Sequence, residues 1–575
     1  MARGRSRTRR AVSAAVTVLA LVPAGGCVLL DDESAPPPAV DTGAGGGGPE
    51  SAEPRRDPML GITTGWGPSA AQIERAVRLV RAMPLRDLAG QVIVADYPGR
   101  TAPTALVRDL HLGGVIVFDQ NVGASRALRN ELRTLRRGVD RPWPLWVSVD
   151  QEGGLVERLQ DDLTRFPTFM SAGAADRDRV TRAAARGSAR ELAWLGLTAD
   201  FAPVADVTAG PGDPTIGSRS ASEFAQRASR AVTAAGRGFL DAGVVPVLKH
   251  FPGHGSAPAD SHVTLPVLDR PLSGLRRIDL APFRAGIAAG APAVMVGHLD
   301  VRAVDPRTPS SLSRPVVSGL LRDRLGFGGL VVSDALDMAA VTRTAGSSRP
   351  AVRALRAGVD MLVMPPSPRL ARDGIVAAVR SGALPLRRLQ QAAARQGALM
   401  LHQRALTREA RDTTGPRPPG SARGASWRLS RAAVTQVAGR CGVRHVGDRV
   451  LLTGPADDVA RLGSAFRTYG VDVVEPPPAA PRRRGPARGD GRPATTPPPP
   501  DATRVAVTGY RGGPVSGDVV VATDSPWALG SSTAPVKIAA YGDTTGAMRA
   551  VVQVLLGREA PGSLPVRVTG VDRGC

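Results

Sequence analysis

Residues 244–250 read VVPVLKH, and residues 328–334 read GGLVVSD. Each is a short, β-branched, near-continuously apolar run that stops on an ionisable side chain. A strand buried on both faces has this composition, because neither side of its pleat meets water. Five further runs share the pattern, QVIVAD (91–96), GGVIVFD (113–119), PLWVSVD (144–150), LTADFAPVAD (197–206) and PAVMVGH (292–298), and an eighth apolar run, VDMLVMP (359–365), ends on Pro instead. Between them lie longer stretches such as ERAVRLVRAM (74–83) and LAPFRAGIAAG (280–290), whose apolar residues recur at helical spacing. Eight strand–helix units over residues 63–406 predict an α/β fold, a (β/α)₈ barrel of the TIM type, with an imperfect first repeat.

The ends of the runs carry the functional signal. Asp96, Asp119, Asp150, Asp206, the Lys249–His250 pair, His298 and Asp334 all stand where a strand should stop. In this architecture the C-terminal strand ends form one face, and active sites sit there. A single Asp at such a position is often just a loop cap. So many ionisable ends in one chain predict a common mouth.

Outside the barrel region the 575 residues divide by composition. MARGRSRTRR (1–10), the apolar run AVSAAVTVLALVPA (11–24) and Gly25-Gly26-Cys27 follow the plan of an export signal ending in a lipobox, so Cys27 is the candidate for acylation. Ala24 stands where a lipobox usually has Leu, and Arg9–Arg10 also fits a twin-Arg export signal. A diacylglycerol there would anchor the chain to a membrane outside the cytoplasm. No other segment approaches the roughly 18 unbroken apolar residues of a membrane span. Residues 28–62 lack large apolar side chains over most of their length and read as a disordered tether. The polar stretch 407–426 reads as a linker, and 427–575 as a smaller α/β sandwich domain with a largely parallel sheet and a disordered Pro- and Arg-rich insertion at about 476–503. Cys441 and Cys575 remain as a pair that an oxidising compartment would let bridge if their Cα atoms approach within about 7 Å. The net charge of +23 comes from Arg spread along the whole chain, and aromatic residues are 3%, too few for a base-stacking surface; no nucleic-acid partner is expected.

The densest chemistry lies in KHFPGHGSAPADSH (249–262), which holds one of only two lysines in the chain. His250, His254, His262 and Asp260 are ligand types that zinc accepts. Pro252 and Gly253 keep His250 and His254 from sharing a helix face, and a protonated Lys249 would repel a cation, so no metal site is expected. A capped loop with a structural histidine is a second reading on local grounds. The third is a loop that binds a polyhydroxylated ligand and moves protons. Lys249 offers a compact charge with three donors, which planar Arg does not reproduce. Asp260 and His262 flank one Ser, so the carboxylate can fix the imidazole tautomer and leave the other nitrogen to exchange protons.

This segment, with its DSH ending, resembles the signature of glycoside hydrolase family 3, in its bacterial β-N-acetylglucosaminidase branch. VDQEGGLVERL (149–159) is similar to that family's sugar-binding loop, with Leu155 where Arg is frequent. FAPVADV (201–207) followed by TIGSRS (215–220), and VVSDALDM (331–338), agree in order, while residues 541–566 resemble the second domain of two-domain members. The resemblance implies an exo-acting, retaining β-N-acetylglucosaminidase of cell-wall fragments that needs no cofactor. It implies Asp334 as nucleophile, His262 oriented by Asp260 as acid and base, and Asp150, Arg158, Arg219, Lys249 and His250 as holders of the terminal sugar. Another family 3 β-glycosidase, a glycoside phosphorylase and a non-catalytic envelope glycan-binding lipoprotein are the alternatives. Glu152 and Glu157 are rival acids, Asp337 reads as a cap of the next helix, and His254 as a loop-shaping hydrogen bonder.

Overall fold

The computed structural model describes residues 57–160, 162–345, 349–413, 415–474, 501–510, 512–513 and 515–575. The export signal, Cys27, most of the tether and most of the expected insertion lie outside these residues. Eight parallel strands form the first sheet: β1 (Ile93–Ala95), β2 (Gly114–Val117), β3 (Trp146–Val149), β4 (Ala199–Asp200), β5 (Val245–Phe251), β6 (Ala293–Val296), β7 (Leu330–Ser333) and β8 (Leu362–Val363). Chain neighbours are spatial neighbours from β1 to β7, β8 lies against β1, and a bridge between Val332 and Met361 closes the circle. This is a (β/α)₈ barrel built from the eight apolar runs.

Helices alternate with the strands on the outside. The first, Ala70–Arg81, starts where the Ser69 hydroxyl accepts the Gln72 N–H, and it buries Ile73, Ala76, Val77 and Val80 at three- and four-residue spacing. The shortest strands of the barrel are β4 and β8, with two residues each. In the fourth run Pro203 has no N–H to give to a ladder, so the regular strand stops at Asp200, and the pairing with β5 goes on only through single contacts such as the Val204–Lys249 bridge.

Two expected boundaries move. Residues 57–62, read as the end of the tether, are part of the fold: Leu60 and Ile62 are buried in the barrel core, and Gln391 donates to the Leu60 carbonyl at 2.8 Å. The stretch 407–426 is only partly a linker. Helix Leu386–Thr413 runs into it, and helix Arg423–Ala433 begins inside it. Arg and Glu on exposed helix turns made the segment look polar without making it irregular.

The second domain has strands β9 (Thr435–Ala438), β10 (Arg449–Thr453), β11 (Asp472–Val474), β12 (Thr503–Thr508), β13 (Val519–Ala522) and β14 (Val536–Ala539). Their order is β9-β14-β13-β12-β10-β11, parallel except for β9, which runs antiparallel along β14. Cys441 and Cys575 form a disulfide with Cα atoms 5.9 Å apart. The domain is packed onto the barrel rather than tethered to it. Phe166, Met170 and Ala184 share one buried cluster with Leu429, Tyr541 and Leu564. Thr168 gives both its N–H and its hydroxyl to the Tyr541 carbonyl, at 2.8 and 2.9 Å. Among the described residues no helix is long and apolar enough to cross a membrane.

Candidate active site

β7 ends at Ser333, and the chain leaves the sheet at Asp334, whose N–H donates to the Val296 carbonyl at 2.9 Å. Its Oδ1 accepts from the Ala335 N–H at 2.8 Å. Burial pushes this carboxyl up, but His250, His298 and that amide outweigh it and hold Asp334 below the ordinary carboxylate range. An anion that stays ionised in a half-buried site suits nucleophilic attack. His298, just past β6, is buried, and burial lowers its pKa. Its Nε2 lies 2.9 Å from the Ala335 carbonyl, an atom that only accepts, so Nε2 carries the proton and Nδ1 accepts from the Ser311 hydroxyl at 2.7 Å.

The loop after β3, the segment after β4 and the C-terminal end of β5 meet in an ion cluster. Lys249 Nζ lies 2.5 Å from Asp150 Oδ1 and 2.7 Å from Glu152 Oε1. Arg219 grips the same Glu152 through Nε and Nη2, at 2.9 and 2.8 Å. Burial would raise the Glu152 pKa, yet Arg219 and Lys249 together drive it well below the ordinary range. Lys249 itself is pushed down by burial and more than restored by Asp150 and Glu152, so it stays charged. An ammonium has three donors. Two are held by carboxylates, and one is left for a ligand. Arg158 Nε is buried with no partner among the described residues.

His250 Nδ1 pairs with Asp206 Oδ2 at 2.7 Å, and Asp206 Oδ1 accepts the backbone N–H groups of His250 and His254 at 3.1 and 2.7 Å. Asp206 therefore holds the start of the 249–262 segment in place. Further along, Ser261 is buried and shares a 3.1 Å hydrogen bond with His254 Nε2, which pins the base of the loop. Burial, with His250 beside it, brings the His254 pKa down to about 4, so this imidazole is neutral. One residue beyond the pin, the His262 side chain is 69% exposed, and its Nδ1 lies 2.7 Å from Asp260 Oδ1. Burial raises the Asp260 carboxyl, but the His262 N–H groups outweigh it and keep the group ionised. An ionised carboxylate only accepts, so Nδ1 holds a proton and Nε2 is left to exchange one.

These groups surround one cavity of about 330 Å³ at the barrel mouth. Asp150, Arg158, Arg219, Lys249, His250, His262 and Asp334 line it. That is the size range of small-molecule sites. Asp260 stands behind His262 and lines the groove next door. Each imidazole of the 249–262 segment is engaged by a neighbour, and among the described residues no group of three or more His, Cys, Asp or Glu is arranged to hold a metal ion.

A sequence model of the "Glycosyl hydrolase family 3 N terminal domain" matches residues 85–398, more than half of the chain. The chain belongs to glycosyl hydrolase family 3. This family 3 glycosidase is 36% identical over 316 residues to the β-hexosaminidase LpqI of Mycobacterium tuberculosis, covering 52% of this chain and 79% of the relative. It is 41% identical over 281 residues to a β-hexosaminidase of Xylella fastidiosa, covering 47% of this chain and 81% of the relative. Among solved structures, a family 3 β-N-acetylglucosaminidase from a Paenibacillus species superposes with a TM-score of 0.71 at 28% identity, covering 85% of this chain and 99% of that one.

Some strand-end residues of the glycosidase do not reach the cavity wall. Asp119 is exposed and opens a 3₁₀ turn, and Asp206 and His298 stand behind the lining, where they orient His250 and the Asp334 turn. Glu152 is no rival acid, because two cations hold it ionised. Glu157 is buried against Arg165 and the Phe166 N–H and is not part of this cavity's lining; burial raises its pKa to about 7. Asp337, expected as a helix cap, lines the cavity instead, and the helix starts beyond it at Ala339. The residues that sequence reasoning passed over, Glu152 as an anchor and Asp206 as an orienter, were visible only as strand-end or loop carboxylates.

Proposed function

We propose that this glycosidase removes terminal β-linked N-acetylglucosamine from envelope glycan fragments, those of peptidoglycan foremost, with retention of anomeric configuration. The observation that carries the reading is one cavity lined by Asp334, His262 and the donors Lys249, Arg158 and His250. The β-hexosaminidase and β-N-acetylglucosaminidase relatives support the sugar.

In the first half-reaction an Asp334 oxygen bonds to the anomeric carbon while the bond to the aglycone oxygen breaks. His262 Nε2 gives that oxygen its proton, and Asp260 stabilises the imidazolium beforehand. In the second half-reaction the neutral Nε2 takes a proton from water, whose oxygen displaces Asp334 and restores both groups. Imidazole thus replaces one of the two usual carboxylates, on a loop whose base is pinned and whose tip is exposed. Lys249, Arg158, Arg219, His250 and Asp150 hold the hydroxyls of the sugar that reacts. We also infer that residues 1–27 export the chain and that an acylated Cys27 holds it to the membrane; the basic start and apolar run support this.

The test is a substrate panel on the chain without residues 1–30. Release of 4-nitrophenol from the N-acetyl-β-glucosaminide and not from the β-glucoside is expected, with free sugar as product even in added phosphate. Equal or reversed rates contradict the sugar assignment, and a sugar 1-phosphate contradicts hydrolysis. For the anchor, labelled lipid should enter the wild type and not Cys27→Ala.

A further inference from the structure

The mouth cavity does not end at His262. Val156, Ile216, Arg219 and His262 line both it and a second, wider groove of about 760 Å³ whose far wall comes from the second domain. We propose that this groove is the aglycone subsite, with Tyr510 and Trp527 of the second domain and Leu155 of the barrel holding the pyranose on the reducing side of the bond to be broken. This rests on the proposed function and names where its leaving group sits.

His262 serves the oxygen between the two sugars, so atoms beyond that oxygen lie past His262 as seen from Asp334. The groove occupies that side. Among the described residues only five large apolar side chains stand exposed, and two of them, Leu155 and Tyr510, line this groove, while a third, Val263, follows His262 on the loop. Apolar surface gathered in one place on an otherwise Arg-rich exterior marks a binding face. Tyr510 lies just past β12 and Trp527 just past β13, so both belong to the loops at the C-terminal ends of parallel strands. Their rings suit the flat apolar face of a pyranose.

The two walls are held together. The Ser218 hydroxyl, one residue before Arg219, donates to Asp524 Oδ1, three residues before Trp527, at 2.6 Å. Asp213 accepts the N–H groups of Thr215, Ile216 and Gly217 at 2.9–3.1 Å, which fixes the intervening loop. Among the described residues that line the groove, Arg219 is the one Lys or Arg, and Glu152 already holds it bidentately.

The experiment compares N,N′-diacetylchitobiose with methyl N-acetyl-β-glucosaminide, a substrate without a second ring, on the full-length chain. Tyr510→Ala is the main variant, because Trp527 also packs on the core shared by the domains. For Tyr510→Ala, kcat/KM on the disaccharide should fall about tenfold, with the methyl glycoside within about twofold of wild type. Tyr510→Phe, which keeps the ring, should retain the disaccharide rate. An unchanged disaccharide rate in Tyr510→Ala, or equal losses on both substrates, overturns the subsite. A wild type inert on both overturns the proposed function and the subsite with it.

Discussion

Two buried ion clusters sit at opposite ends of the same barrel. At the foot of β8, Asp360 is fully buried and meets Arg322, Arg388 and Arg395 at 2.5, 2.9 and 3.4 Å. It also accepts the Val331 N–H of β7 at 3.0 Å. Other guanidinium nitrogens of the three turn to carbonyls of Phe327, Gly328, Gly329, Leu355, Gly358 and Val359, and Arg388 Nη1 is buried without a partner among the described residues. At the mouth, Glu152, Asp150, Lys249 and Arg219 are packed as tightly, but they border a cavity, and donors of Lys249 and Arg158 are left over. Burial of charge is therefore not what marks a site. What marks it is a charge network that closes on itself everywhere except toward an empty space, at the strand ends where a ligand can arrive.

Substitutions should separate the two ends. Asp334→Asn is expected to lower kcat/KM by about 10⁴-fold or more while the thermal midpoint holds, read by steady-state kinetics and calorimetry together. For His262→Ala the loss should be about 10²–10⁴-fold, and much smaller for a 2,4-dinitrophenyl aglycone, which leaves without a proton; an equal loss on both leaving groups would rule out the acid role. At the foot, Asp360→Asn strands three guanidinium groups and should cost about 3–5 kcal/mol of stability in denaturant unfolding. The folded fraction should keep its kcat. If activity falls while stability holds, the division between ends is wrong.

The smallest effect is one of pH. The three Arg neighbours outweigh burial and depress the Asp360 pKa in the fold, so its contribution is present above an unfolded value of about 4 and is lost as pH falls below it. Glu157 runs the other way. Burial raises it to about 7, so its contribution is complete below an unfolded value of about 4.3 and is lost as pH rises through about 7. The thermal midpoint of wild type should fall relative to Glu157→Gln between pH 4.5 and 8; a constant difference contradicts this.

Local sequence carried most of the barrel. Its strands are buried on both faces, so each reads as an apolar run whatever its partner, and the order of strands follows the order of runs. β9 has little local signal, because TQVA is four residues long with two polar ones, and it exists as a strand through its antiparallel pairing with β14. The linker was overextended because charged helix turns look like loop by composition. At the site, Asp260 and His262 were legible because the interaction spans two residues. The role of Glu152 was not, since Arg219 lies 67 residues away, and only the closed barrel brings it to Glu152. The second domain's part in the groove was equally hidden: Ser218 and Asp524 are 306 residues apart.

The central claim, that Asp334 forms the bond to the sugar, is tested most directly by trapping. A 5-fluoro glycosyl fluoride of N-acetylglucosamine should load quickly and hydrolyse slowly, and peptide mass spectrometry should find one sugar on the peptide holding Asp334. A label on another carboxylate, or no adduct with the α-anomer as first product by NMR, would contradict the account.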